Sequence, residues 1–412
     1  MRISTASLVA LKQLPASRVL KASGFRRLWI GSVVEAFSFW LERLAIGWLV
    51  LDVTGSVFLA ALSFAVQNAS AVVIGPVAGA LADRFERKRL LAVASASKSA
   101  IMVAIGVVVI GGSDSILPVF LLTALSSSAR VFSIPATQAL ITDMVGARDS
   151  ANAIGVHSLG VRSVGALGAL SGGILIQGIG VAPVFFLGAA LSGVATFVFV
   201  SIRTQTRARG LTADSIWRDA LDGLRTMVRI PVVAALLTLA LVVEIFAFSY
   251  SSLLPAVAKL VLSVGPAGLG ALTLFAGFGA VAGSAAMSLL RGSTRRGPLI
   301  LAVTAGYGLF LVAFAASSNF TVSLVLVAGI GAMAAVFDAL QWVLLQGNMP
   351  VGMRGRAIGG WIWAIGFGWV GPIALGAAGE AVGVQWTIAG SGGIVVISAV
   401  GTALFVARLR RA

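Results

Sequence analysis

Glu35, Glu42, Arg43, Arg130, Arg162, Glu244 and Asp338 each stand inside a long run of apolar residues. A charge at the centre of such a run costs about 2.5–3.5 kcal/mol to insert into a bilayer, so it marks a paired or functional site. A carboxylate there can trade a proton, because desolvation favours the acid and a nearby guanidinium favours the anion. Glu35 and Glu42 are seven residues apart, two helical turns, and so share one helix face. Glu35 and Arg130 lie at similar depth and are expected to pair in at least one state, with Arg162 as the rival partner. Glu42 and Arg43 sit nearer the opposite surface and are expected to matter less. Lys98 lies close enough to the charged end of its run to snorkel. His157, the one histidine, is expected at an interface rather than in proton transfer. Trp361, Trp363 and Trp369 suit either a stacking platform or packing against lipid.

The elements that must hold these groups follow from composition. The chain has 412 residues, 58% hydrophobic and 11% charged, with mean hydropathy +1.03. A soluble chain carries about a quarter charged residues, so the solvent here is a bilayer. A span needs about 17–25 apolar residues, which gives about twelve spans and an all-α integral membrane fold. They lie near 28–51, 57–81, 90–111, 116–138, 153–177, 182–202, 232–254, 266–290, 298–316, 320–345, 358–382 and 384–407. The domain plan is a leader (1–27), a six-helix half (28–202), a linker (203–231) with a short amphipathic helix near 216–228, a second six-helix half (232–407) and a tail (408–412). The leader has no apolar run with a cleavage site, so no signal peptide is expected.

Net charge is +16, but the cations lie in short clusters between apolar runs, with no basic domain to follow a phosphate backbone. No nucleic-acid partner is expected. Placing both termini in the cytoplasm puts 25 of the 30 basic residues on that side and leaves Lys259 alone outside, a positive-inside pattern. Cysteine is absent, which excludes disulfides and thiolate chemistry. No nucleotide-binding loop, metal-ligand cluster or nucleophile–base set is evident, so neither a cofactor nor an enzyme is expected. At a shift of 205, "RVFSIPATQALITDMV" (130–145) overlies "AVFDALQWVLLQGNMP" (335–350), and Glu244 overlies Phe39. A shift of half the chain fits the duplicated build of many secondary transporters.

The stretch "GPVAGALADRFERKRLL" (75–91) ends one span and turns sharply into the next. Gly75, Gly79 and Asp83 follow at intervals of four, one face without side chains leading to an acid at the membrane edge. "GALADRFERKRLL" (79–91) resembles the signature loop of the major facilitator superfamily, matching at Gly79, Leu81, Ala82, Asp83, Arg84, Arg87, Lys88 and Leu91. Glu86 replaces the usual glycine, as in the branch with enterobactin exporters and macrolide-efflux proteins. The resemblance implies a conformational latch in which Asp83 engages the second half. The equivalent loop, "RGSTRRG" (291–297), has cations but no acid. "VRSVGALGALSGGILI" (161–176) resembles the span-five motif of antiporters at Gly168, Gly172 and Gly173, with Ala169 in place of proline; ordinary helix packing explains the same glycines. "MRGRAIG" (353–359) resembles the loop between spans ten and eleven. In that fold spans one, four, seven and ten line the central cavity, and all the deep charges except Arg162 fall on them.

The function expected is a proton-coupled exporter of amphipathic small molecules of drug or siderophore size. It would work by alternating access, as a monomer, in a bacterial inner membrane. An importer of a small nutrient and a non-transporting sensor on a transporter scaffold are the alternatives.

Overall fold

A chain in hydrocarbon must satisfy every backbone N–H and C=O internally, and helices do so within one segment. The computed structural model describes residues 19–20, 22–112, 115–203, 230–289, 296–348 and 366–406. Every regular element among them is helical. In the first half these are α1 (Ser23–Thr54), α2 (Val57–Arg84), α3 (Arg87–Ile110), α4 (Leu117–Gly146), α5 (Asn152–Ile179) and α6 (Val181–Val200). In the second they are α7 (Pro231–Val261), α8 (Pro266–Leu289), α9 (Arg296–Ala316), α10 (Phe320–Gly347), α11 and α12 (Val384–Phe405). Helix α11 is a 3₁₀ turn (Phe367–Trp369) followed by Val370–Val382. The twelve expected spans thus all have a helix. The expected amphipathic helix at 216–228, the 353–359 loop, Trp361, Trp363 and the terminal segments lie outside the described residues.

Large apolar side chains point away from the protein, among them Phe197, Trp386 and Phe405 at 78%, 77% and 88% exposure. Water would not tolerate that surface, and lipid does. Within the second half, helices touch through missing side chains. A methyl on Gly279, Gly283 or Gly331 would collide with a backbone carbonyl across the α8–α10 seam. Across the α9–α12 seam, Gly308 and Gly392 face each other, each leaving only 2.5–2.6 Å between a built Cβ and the other's carbonyl. The duplication is visible here. Helix α3 packs most broadly on α6, and α9, six helices later, on α12. Gly180 and Gly383 open α6 and α12 with φ of 86° and 93°, a region that favours glycine.

Two compact units emerge, and their boundary does not follow the linker. One holds the described parts of Met1–Glu42, Val73–Gly168 and Ile179–Leu211; the other holds those of Arg43–Val72, Ala169–Gly178 and Thr212–Ala412. Helix α1, 32 residues long, spans about 48 Å at 1.5 Å per residue and contributes to both. In the second unit, therefore, the adjoining ends of α1 and α2 are built in with α7 and α11.

Substitutions on the α8–α10 seam check this packing. Gly331→Val should abolish a monodisperse peak in detergent size-exclusion chromatography, since rigid backbone blocks the side chain and overpacking costs about 1–3 kcal/mol or more. Gly193→Ala, whose nearest neighbour is Ser99 Oγ at 3.6 Å, should elute like wild type.

Candidate functional site

Helix α1 presents Glu35 and Glu42 on one face, and α3 places Lys98 between them. Lys98 Nζ lies 3.0 Å from Glu35 Oε1 and 3.6 Å from Glu42 Oε2. The remaining oxygen of each acid accepts a serine hydroxyl at 2.6 Å, Ser95 on Glu35 and Ser126 on Glu42. Ser192 of α6 reaches Glu35 Oε1 at 3.5 Å, and its hydroxyl is 2.9 Å from that of Ser38. Three helices thus converge on the acidic face of α1.

This arrangement corrects two expectations. Lys98 does not snorkel. It is 2% exposed and lies eleven residues into α3, about 16 Å from the helix start, beyond what its stem can span. Glu42 is not the solvated acid either. Its side chain is 6% exposed against 18% for Glu35, so Glu35 is the end of the pair that solvent can reach.

Arg130 does not pair with Glu35 here, because Lys98 occupies that place. Its guanidinium lies over the Phe39 ring, 4.1 Å from the centroid. A cation held this way gains about 2 kcal/mol or more when desolvated. Both acids act on Arg130 electrostatically, Glu42 more than Glu35. Two carboxylates and two cations leave the cluster neutral. Arg162 is exposed, and no described ion pair includes it. Arg43, in the other unit, lies 4.7 Å over the Phe64 ring.

The second-half acids form a separate group. Helix α7 leaves α geometry at Val243–Ala247, a π turn that holds Glu244, and continues as a 3₁₀ segment, Phe248–Leu253. Such bulges recur at functional sites. The Ser249 hydroxyl donates to the Glu244 carbonyl at 2.9 Å. Gly368 of α11 abuts the Glu244 carboxylate, with only 2.6 Å between a built Cβ and Oε1. Asp338 is near enough to repel Glu244. Tyr307 feels both charges, and its buried hydroxyl has no hydrogen-bond partner among the described residues. The π turn and Tyr307 leave no signal in hydropathy; the serines around Lys98, "VASASKSA" (93–100), do leave one.

The charged loop after α2 is held within its own half. Arg87 pairs with Asp143 of α4, and Glu86 takes Lys88 at 3.1 Å and Arg89 at 2.6 Å. Glu86, the departure from the usual glycine, therefore gathers the loop's own cations. Gly79, Asp83 and Arg84 lie in the described helix, but their side chains are outside what is described. The α5 glycines are packing positions. Gly168 meets the Phe37 backbone at 3.2 Å, Gly173 closes on the Pro266 carbonyl, and Gly172 is buried. His157 is half-buried, next in sequence to Val156, whose carbonyl accepts a hydrogen bond from Trp29.

In the second unit, the α1–α2 end is tied to the second-half helices. Lys259 of α7 pairs with Asp52 at 2.6 Å. Glu380 of α11 accepts from the Phe58 N–H at 3.0 Å and the Ser56 hydroxyl at 3.3 Å, capping the start of α2. Below these contacts Gly376 lies against Ala61, and Gly379 against Val57.

Long apolar helices with a charge cluster buried on the first of them fit a multi-pass membrane protein of the transporter class. The chain belongs to the family described as transmembrane secretion effector, matched over residues 17–412, within the major facilitator superfamily. It is 26% identical over 337 residues to the enterobactin exporter EntS of Shigella flexneri, covering 82% of this chain and 80% of the relative. The EntS of Salmonella choleraesuis (strain SC-B67) is also 26% identical, over 342 residues, covering 82% and 81%. Among solved structures it resembles the nucleoside transporter NupG (TM-score 0.71, 15% identity, 93% of this chain and 98% of that one). It also resembles a bacterial homologue of the human lysosomal transporter Spinster (TM-score 0.71, 15% identity, 97% and 98%). At these identities the structural likeness concerns the fold.

The α1–α2 contacts can be tested without background labelling, because the chain has no cysteine. Val57→Cys places a thiol at a site 6% exposed in this state. Adding Asp52→Asn and Glu380→Gln should speed maleimide labelling about fivefold, as expected for losing about 1 kcal/mol of partly exposed charge interaction. Reversing the pair, Asp52→Lys with Lys259→Asp, should leave labelling slow. Equal rates in all variants would show that these contacts do not hold the ends together.

Proposed function

We propose that the protein is a proton-coupled exporter of amphipathic small molecules of drug or siderophore size, working by alternating access. The observation that carries this reading is the Glu35 carboxylate. It is the less buried member of a neutral, otherwise buried cluster, and it is held by one lysine contact and the hydroxyls of Ser95 and Ser192. A proton arriving there changes the charge of a site that must stay neutral to remain desolvated, which gives proton binding leverage over conformation. The absence of a nucleotide-binding loop from the sequence supports an ion gradient as the energy source. Export and siderophore-sized cargo are supported by what the relatives are named for.

The cation distribution supports cytoplasmic termini in a bacterial inner membrane. The α1–α2 end is then external, and the contacts of Asp52 and Glu380 hold it closed. The cycle on this reading runs from external protonation and cargo release, through rocking of the halves, to deprotonation inside. Asp83 would latch the outward-facing state, and a monomer would be the working unit.

The test is accumulation of fluorescent amphipathic compounds in cells with and without the gene, with an uncoupler as control. Expression should lower accumulation at least threefold, and the uncoupler should abolish the difference. Glu35→Gln, fixed as a mimic of the protonated acid, should lose pumping at normal membrane levels. Glu42→Gln should lose it as well, since the same lysine holds both acids. Wild-type pumping by Glu35→Gln, with loss in Glu244→Gln, would move the proton site to the second half.

A further inference from the structure

Lys98 is the least expected group in the protein: an ammonium 2% exposed, between two acids, on a helix that supplies no other charge near it. An ammonium carries three N–H donors, yet Lys98 Nζ is buried with no aligned hydrogen bond in spite of its 3.0 Å approach to Glu35. Its partners are two carboxylates at 3.0 and 3.6 Å, and a cation between two such partners can pass from one to the other with little displacement. The other oxygen of each acid is already occupied by a serine hydroxyl. The oxygens facing Lys98 are therefore the ones its position decides. The two acids also differ, one 18% exposed and one 6%.

We propose that Lys98 is the positioning residue that joins Glu35 and Glu42 into a single proton-binding unit. A proton from water adds to the reachable Glu35, taking the cluster from neutral to one positive charge, and Lys98 closes onto Glu42. When Glu35 gives the proton back to water, Lys98 returns. Glu42 never faces the bilayer interior unpaired, so one carboxylate titrates where two are present. The ionisable groups that face Lys98 among the described residues are Glu35 and Glu42 of α1 and, across the Phe39 ring, Arg130 of α4. Helix α6 offers only hydroxyls there, Ser192 being the nearest to Glu35. As a use of this unit in transport, the proposal rests on the proton-coupled reading; as a property of the acids, it stands without it.

Infrared titration of the purified protein in lipid separates the two. The C=O intensity that Glu35→Gln removes from the wild-type spectrum should titrate with one midpoint, separate from whatever the other carboxyls contribute. In Lys98→Met, where the cation between the two acids is gone and Arg130 alone remains, that midpoint should move by at least about one pH unit. Lys98→Arg should restore the wild-type midpoint, which a merely space-filling role would not require. Should Lys98→Met fail to accumulate, the neutral-balanced Lys98→Met with Glu42→Gln should express and show the Glu35 band alone. A midpoint unchanged by Lys98→Met, or a band lost in Glu42→Gln but kept in Glu35→Gln, overturns the proposal. If the infrared results hold while efflux proves insensitive to uncoupler, the lysine unit stands and the proton-coupled reading falls.

Discussion

Charge neutrality in a medium that cannot solvate charge is the constraint on which the first half depends. Removing one member of a buried ion pair costs about 3–5 kcal/mol, because the partner is left uncompensated. Glu35, Glu42, Lys98 and Arg130 are thus tolerable only together, and α1, α3 and α4 are held in register by that requirement. The serines finish the arrangement at little steric cost, since Ser95, Ser126 and Ser192 are small enough to leave the helices in close contact. Phe39 completes it from α1 itself. Its ring lies between the two cations, 4.1 Å from the Arg130 guanidinium and 5.9 Å from Lys98 Nζ.

Helix α1 contributes to both compact units. Its first part bears the charge cluster and belongs to one compact unit; from Arg43 onward it belongs to the other, where Asp52 meets Lys259. Glu42 and Arg43, adjacent in sequence, stand on either side of that division. A helix is stiff over a few turns, so a shift at the acids is carried along the axis to the α1–α2 end.

The sequence disclosed whatever depends on period and hydropathy. Helix content and the approximate number of apolar helices were legible, since an apolar run of span length has few other folds available. Partner choice was not. Depth placed Arg130 level with Glu35, but rotation about the helix axis decides which side chains meet, and a single sequence without a packing partner does not fix rotation. Lys98 was misread for a related reason, because counting from the nearest charged loop underestimates depth when α3 begins at Arg87. The π turn at Val243–Ala247 was invisible because one extra residue per turn leaves composition unchanged.

The duplicated scaffold carries unlike chemistry in its two halves. In the first, acids are balanced by cations. In the second, Glu244 and Asp338 act on each other near Tyr307, whose hydroxyl has no hydrogen-bond partner among the described residues. Glu244 falls on the position of Phe39 in the 205 shift, so where the first half offers a ring to a cation, the second offers a carboxylate at a π turn. The two halves thus place different side-chain chemistry on one backbone plan. A transporter built from two equal copies would have no such bias in its chemistry.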